Sequence, residues 1–427
     1  MRLKFALRRP TGKPPTSVPV RFGDTVASVL RKLTIKGFKA IRQTTLELPP
    51  FTLFIGRNGA GKSSVLEALQ WLQEGLVGGL TSATTVRFGS FTDLVNRRCA
   101  DITLDLKFAR SGRATPVHYE LIVREGAGPA AGRPIVHSER CVVDRTAAAR
   151  TVLWSRAQSG GRELRGPPYR WIRHAQGRPK VVRSGDEVAL RETRGIPGAG
   201  DLAEYLERAV ILRLSPTSLA TSTPDHPRVS GPALAEDGRD LPLLIAQLAP
   251  AARRRLVQRV ATVFPSVEDV DVEEVGHNKF IVVGERMRAR GGTSRFSIPS
   301  WLLSEGTRRI LAIFALLEST PRPSLIAIEE IENGLDPWTL TLVMDALRAA
   351  TDEGTQLMVT THSPFLLDHV DVQEIVHVRR DAGESTYEPV REIASVANYE
   401  GVLAPGAMYL ARIFGAEGTA TDADTAE

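Results

Sequence analysis

Cysteine is nearly absent from these 427 residues: Cys99 and Cys141 are the whole supply, which suits neither a disulfide framework nor a thiolate zinc site. No stretch approaches eighteen consecutive apolar residues, so the sequence holds no membrane-spanning helix. The opening MRLKFALRRPTGKPP is basic but lacks the apolar core of a secretory signal. Lysine is scarce beside arginine, no internal repeat is visible, and the helix-like segments are too short and too broken by Pro and Gly for a long coiled coil. Together these absences lead to the expectation of a protein of the reducing cytoplasm, without a membrane partner.

What is present is ordinary globular composition, 42% hydrophobic and 24% charged. The length allows a large core and more than one lobe. A net charge of +6 permits a polyanionic partner without requiring one.

One segment poses a problem in electrostatics. SLIAIEEIENGLDP, residues 324–337, runs an apolar, strand-like stretch straight into Glu329 and Glu330. A carboxylate at the end of a buried strand needs a cation, a hydrogen-bonded partner or a shifted pKa.

A cation source lies upstream. LTI, TLEL and FTLFI read as strands separated by Gly and Pro-Pro turns. The last enters Gly56-Arg57-Asn58-Gly59-Ala60-Gly61-Lys62-Ser63-Ser64, a G-x-x-x-x-G-K-[ST] loop preceded by a strand and followed by a helix. Val65, Leu66, Leu69 and Leu72 recur at helical spacing after it. Glycines let backbone N–H groups face phosphate oxygens without Cβ clashes, and the helix N-terminus adds its positive end. Lys62 is placed to bridge the β- and γ-phosphates of ATP, and Ser63 to offer its hydroxyl to Mg²⁺. In this motif class a strand-terminal acid holds the metal and a neighbouring acid takes a proton from the attacking water; Glu329 and Glu330 fit those roles.

PWTLTLVMDALRAA then reads as a helix, and TQLMVTTHSP as a strand ending in His362. Strand, helix, strand implies a crossover in a parallel sheet, which brings His362 to the edge that carries Glu329 and Glu330. Upstream, Ser304-Glu305-Gly306 precedes a helix with Ile310, Leu311, Ile313, Phe314 and Leu317 on its apolar side. Ser304 alone would be a helix N-cap.

Taken in order, IGRNGAGKSS, LLSEGTRR, IAIEEIENGLDP and VTTHSPFLL resemble the motifs of ABC-type P-loop ATPases of the SMC/RecF/OLD group, over about Leu33 to Gly415. The resemblance implies an α/β ABC-ATPase fold with a β-rich and helical inserted lobe, working as a dimer around two Mg·ATP. By match, Gly56 to Ser64 form the Walker A loop, and Ser304, Glu305 and Gly306 the signature that meets the γ-phosphate on the opposite subunit. Glu329 and Glu330 become the Walker B pair, Asp336 the D-loop acid and His362 the switch histidine. Ile331 stands where relatives carry proline, Asp336 where they carry histidine, and the metal acid is glutamate rather than aspartate. Gln70 and Gln73 sit within the Walker A helix, so no Q-loop glutamine is assigned.

The expected division is a basic extension (1–28), an ATPase N-lobe (29–110), an inserted lobe (111–295), an ATPase C-lobe (296–415) and a disordered tail (416–427). DITLDLKFAR and VHYELIVRE alternate as strands, and DLPLLIAQLAPAARRRLVQRVATVF reads as helices. From Arg133 to Arg194, fourteen basic residues face six acidic ones, with Trp154, Tyr169 and Trp171 interleaved. That pattern suits phosphate contact plus base stacking, or equally a solvated insertion in an arginine-heavy protein. OLD-family proteins continue beyond the switch histidine into a Toprim nuclease domain; the expectation here is of none, with any nuclease a separate chain. The resemblance points to the ATPase subunit of a DNA-associated anti-phage defence complex with a separate effector. RecF-like recombination and repair is the alternative; a nucleotide-gated binding module is a third reading. A transporter subunit is disfavoured by LSEGT in place of LSGGQ.

Overall fold

The computed structural model describes residues 29–109, 116–146, 149–159, 162–163, 185–224, 233–289 and 292–415. The expected extension 1–28, the tail 416–427, Tyr169, Trp171 and the side chain of Trp154 lie outside the described residues.

The chain opens with strands β1 (Val29–Phe38), β2 (Ile41–Glu47) and β3 (Phe51–Ile55). β1 and β2 form a hairpin whose buried and exposed residues alternate along β2, as expected of a sheet with one solvated face. β3 is buried at all five positions, the mark of a central strand. Helices α1 (Lys62–Gly78), α2 (Leu80–Phe88) and α3 (Phe91–Leu94) lead to β4 (Asp101–Ala109), β5 (Val117–Glu125), β6 (Pro134–Thr146), β7 (Ala149–Ser159) and β8 (Arg162–Glu163). These strands join the hairpin in a seven-stranded antiparallel sheet, ordered β2-β1-β4-β5-β6-β7-β8.

Helix α4 (Ala199–Glu207) returns the chain to β9 (Val210–Leu212). There follow β10 (Thr223–Pro224), α5 (Leu241–Gln247), α6 (Pro250–Val263), β11 (Val267–Val275), β12 (Asn278–Ala289) and β13 (Gly292–Pro299); the four strands make a small antiparallel sheet. The last third alternates α7 (Glu305–Leu317), β14 (Leu325–Ile328), α8 (Pro337–Asp352), β15 (Gln356–Thr361), α9 (Pro364–Leu367), β16 (Ile375–Asp381), β17 (Glu384–Pro389) and α10 (Pro405–Leu410).

A six-stranded sheet, ordered β17-β16-β3-β15-β14-β9, organises the site. β16, β3, β15, β14 and β9 all run parallel. Their C-terminal ends therefore share one edge, where open α/β sheets bind ligands. Gly56, Arg213, Glu329 and His362 each follow a strand at that edge. The sheet is covered on both faces. Along β14, Leu325 and Ala327 join a core with Leu33, Phe54 and Trp71, while Ile326 and Ile328 join another with Phe314 and Leu347.

The expected lobe limits need correction. β5 pairs with β4 across residues 110/111, and residue 295 falls inside β13, which pairs along β12. β9, assigned to the inserted lobe, is an edge strand of the parallel sheet. The reason is backbone hydrogen bonding: strands from the insertion pair with strands from the flanking segments, and composition along the chain does not reveal such partners.

Candidate nucleotide and metal site

The glycine loop begins where β3 ends, and α1 starts at Lys62 with Gly61 as its N-cap at φ 104°. That left-handed backbone favours glycine, and a Cβ there would also run into Ser385 Oγ. Side chains from the β16–β17 hairpin hold the loop from behind. Ser385 Oγ donates to the Ala60 carbonyl at 2.7 Å, Tyr387 Oη to the Gly61 carbonyl at 2.6 Å, and Arg380 to the Gly59 carbonyl at 3.2 Å. With those carbonyls engaged, the loop conformation that suits an anion is fixed before any ligand arrives. Lys62 Nζ, buried, donates to the carbonyls of Gly56 (2.8 Å) and Arg57 (3.1 Å).

Glu329 meets this loop directly. Ser63 Oγ donates to Glu329 Oε2 at 2.8 Å, while Arg213 Nε donates to Glu329 Oε1 at 2.7 Å. Burial raises the Glu329 pKa, with Arg213 and Ser63 partly offsetting it. Among the described residues no cluster of three or more His, Cys, Asp or Glu side chains has metal-holding geometry. One carboxylate oxygen beside one hydroxyl, next to a phosphate loop, suits Mg²⁺, which keeps waters and phosphate oxygens among its ligands. The donor set fits that ion.

Glu330 is half-buried with φ +48°, a backbone region costly for a residue with a Cβ. Its N–H donates to Thr360 Oγ1 at 3.1 Å, and Asn333 Nδ2 donates to its Oε2 at 2.7 Å. One bond holds the backbone of Glu330 and the other its carboxylate. His362 sits at the same sheet edge with an exposed side chain, but its described partner is Glu332. Glu332 Oε1 accepts from the His362 N–H at 2.8 Å and lies 3.3 Å from its Nδ1.

The remaining expected residues have local partners. Ser304 caps α7, its Oγ accepting from the Thr307 N–H at 3.1 Å. Glu305 pairs with Arg309 at 3.3 Å, and a Cβ on Gly306 would strike the Gly334 carbonyl, so α7 packs tightly on the loop after the acids. Asp336 caps α8, accepting from Thr339 N at 3.1 Å and Thr339 Oγ1 at 2.6 Å; these bonds lower its pKa. Among the described residues, no hydrogen bond or ion pair joins Ser304, Glu305 or Asp336 to the glycine loop.

Several site residues carried no role in the sequence reading. Arg213 touches three carboxylates: Glu329, Glu67 (2.8 Å) and Glu236 (3.3 Å). Glu67 lies four residues after Ser63 on α1, a spacing that puts both on one helical face and was a usable signal. Glu236 accepts from Arg87 at 2.7 Å and from Gln70 at 3.0 Å, which gives Gln70 a partner beside the site; Gln73 instead donates to the Ala209 carbonyl at 2.6 Å. Arg213, Glu236, Ser385 and Tyr387 lie in no motif, and only tertiary structure brings them in.

A family model described as an AAA domain, putative AbiEii toxin of a type IV toxin–antitoxin system, matches residues 145–368. A second, an AAA ATPase domain, matches residues 29–111. The chromosome partition protein Smc of Mycolicibacterium paratuberculosis is 34% identical over 102 residues, covering 21% of this chain and 8% of that protein. The Nod factor export ATP-binding protein I of Mesorhizobium japonicum is 30% identical over 126 residues, covering 26% and 36%. The Smc head domain of Pyrococcus furiosus, solved with the C-terminal domain of ScpA, superposes with a TM-score of 0.51 at 13% identity, over 88% of this chain and all of that one. The fold is that of an SMC-head-like P-loop ATPase, and the aligned stretch spans only a small part of the length of the Smc relatives.

Proposed function

The chain belongs to the AAA-domain family that matches residues 145–368, and on that premise we propose that it hydrolyses Mg·ATP between two copies of itself. The observation that carries this reading is the Ser63–Glu329 hydrogen bond beside the glycine loop. It brings together, beside that loop, a hydroxyl and a carboxylate of the kind a magnesium-bound triphosphate needs. Lys62 and the loop amides from Gly56 to Ser64 would hold phosphate, and Ser63 and Glu329 would hold Mg²⁺. Bound there, the ion would neutralise charge on the phosphate oxygens. Glu330, oriented by Asn333 and Thr360, accepts a proton from the attacking water. His362, held by Glu332, would sense the γ-phosphate.

Pairing with a second copy has its own support. Trp301 and Leu302 lie just before Ser304, Trp338 lies just after Asp336, and all three are exposed, Trp338 to 77%. Large apolar side chains flanking the signature and the D-loop acid suit a surface that another protein covers. On this reading Ser304, Glu305, Gly306 and Asp336 complete the partner's site.

For biological role, the reading stays with a defence complex that acts at DNA through a separately encoded effector. The family's description as a putative toxin of a toxin–antitoxin system supports the defence part of that reading. The test is ATP turnover of the purified chain, alone and with duplex DNA, single strands or a co-purified partner, together with light scattering with and without ATP. Magnesium-dependent turnover and ATP-dependent pairing support the proposal. Absence of both overturns it, and indifference to nucleic acid removes the DNA part.

A further inference from the structure

Arg213 is the residue of the site that the proposed chemistry leaves without work. It follows β9, the strand beside β14, so its backbone lies next to Glu329 at the ligand-binding edge. The Glu329 N–H donates to the Leu212 carbonyl at 2.9 Å, and the Arg213 N–H donates to the Glu236 carbonyl at 2.8 Å. The guanidinium is about two-thirds buried and contacts Glu329, Glu67 and Glu236. Burial alone would lower its pKa, but the facing carboxylates of Glu329 and Glu67 raise it, so the charge is permanent.

The two oxygens of Glu329 are divided. Oε1 accepts from Arg213 and Oε2 faces Ser63. A carboxylate free to rotate would present either oxygen, or both, to an incoming cation. With one oxygen tied to a planar guanidinium, the other is committed to the Ser63 side. Arg213 is itself held. Glu236 is anchored by Arg87 (2.7 Å) and Gln70, Arg87 also pairs with Glu74 (2.7 Å), and Glu67 pairs with Lys39 at 2.5 Å. The cluster thus sets four carboxylates (Glu67, Glu74, Glu236, Glu329) against three cations (Lys39, Arg87, Arg213), one negative charge in excess.

We propose that Arg213 is the positioning residue for the metal-facing carboxylate of Glu329, and that Glu236 fixes Arg213 in that role. The proposal rests on the Mg²⁺ site described above. The chain of contacts Glu329–Arg213–Glu236–Arg87 joins the metal site to the 233–240 segment and to α2.

The test uses Mn²⁺ as a spectroscopic substitute for Mg²⁺. Its binding to the full-length chain is titrated by electron paramagnetic resonance with a non-hydrolysable ATP analogue present; affinity for that analogue is measured separately in EDTA. Arg213→Ala is expected to weaken Mn²⁺ binding about 10- to 100-fold, the usual effect of removing a group that orients a metal ligand. Analogue affinity in EDTA should stay within about twofold of wild type. Arg213→Lys keeps the charge but loses the fork and should recover only part of the loss; it also decides the matter if Arg213→Ala does not fold. Glu236→Gln should give a smaller loss of the same kind. Unchanged Mn²⁺ affinity in Arg213→Lys and Arg213→Ala, or an equal fall in metal-free analogue binding, overturns the proposal. Failure of the wild-type chain to bind Mn²⁺ with the analogue would instead overturn the metal-site reading beneath it.

Discussion

Ser63 and Glu329 stand 266 positions apart in the chain, yet the hydroxyl of one donates to the carboxylate of the other at 2.8 Å. If the two share one ion, as proposed, they act as a unit and their removal should not be additive. Ser63→Ala and Glu329→Gln are each expected to weaken magnesium-dependent ATP binding by at least about tenfold. The double variant should lose less than the product, with a coupling of about 0.5–3 kcal/mol. Calorimetric titration of the four proteins with Mg·ATP reads this out, and strict additivity would show that the two do not share a ligand.

Glu330→Gln should separate binding from chemistry. The amide keeps the shape and the Asn333 contact but cannot take a proton. ATP binding is expected to stay near wild type while kcat falls about 10²- to 10⁴-fold, with the ATP-bound pair persisting in size-exclusion chromatography. Normal turnover would remove Glu330 from the role of base.

The hairpin behind the glycine loop makes a graded prediction. Tyr387→Phe removes the hydroxyl that donates to the Gly61 carbonyl, a loss of about 1 kcal/mol. If loop rigidity serves binding, ATP affinity should drop about fivefold, read by displacement of a fluorescent nucleotide. Gly61→Ala is far more severe, because both φ and the position of Ser385 Oγ oppose a Cβ; it should abolish detectable binding.

Glu236 gives a pH signature. Burial opposes its charge, but Arg87, Gln70 and Arg213 outweigh that and lower its pKa below the ordinary 4.5. A depressed carboxylate contributes stability above its unfolded pKa and loses it as pH falls through the folded value. Glu236→Gln should therefore melt below wild type at pH 7, and the difference should shrink below about pH 4.5. Thermal melts of both proteins from pH 7 to pH 3.5 measure it. A difference that grows on acidification would contradict the assigned ion pairs.

Much of the fold could be read along the chain. The strand, glycine loop and helix from Phe51 to Gly78 follow from a continuous apolar run, three glycines and apolar residues at helical spacing. Leu325–Ile328, Pro337–Asp352 and Gln356–Thr361 are legible for the same reason, and their order implied the parallel neighbours that the structure contains. The limits of the inserted lobe were not legible, because β4 and β5 read as equal alternating strands whichever sheet they join. Glu332 stood in plain view in the acidic motif, but nothing in its spacing said that it would hold His362.

Thus the sequence by itself determined that a phosphate loop and a pair of strand-terminal acids exist, since each depends only on residues within a turn or a strand of one another. The tertiary structure alone decided what surrounds them. Arg213 reaches Glu329 across 116 positions because β9 hydrogen-bonds to β14, and Tyr387 reaches Gly61 across 326 because β17 closes the other side of the sheet. Backbone pairing between strands distant in sequence sets such contacts, and every strand offers the same N–H and C=O groups to every other, so the choice of partner is made only when the whole core packs.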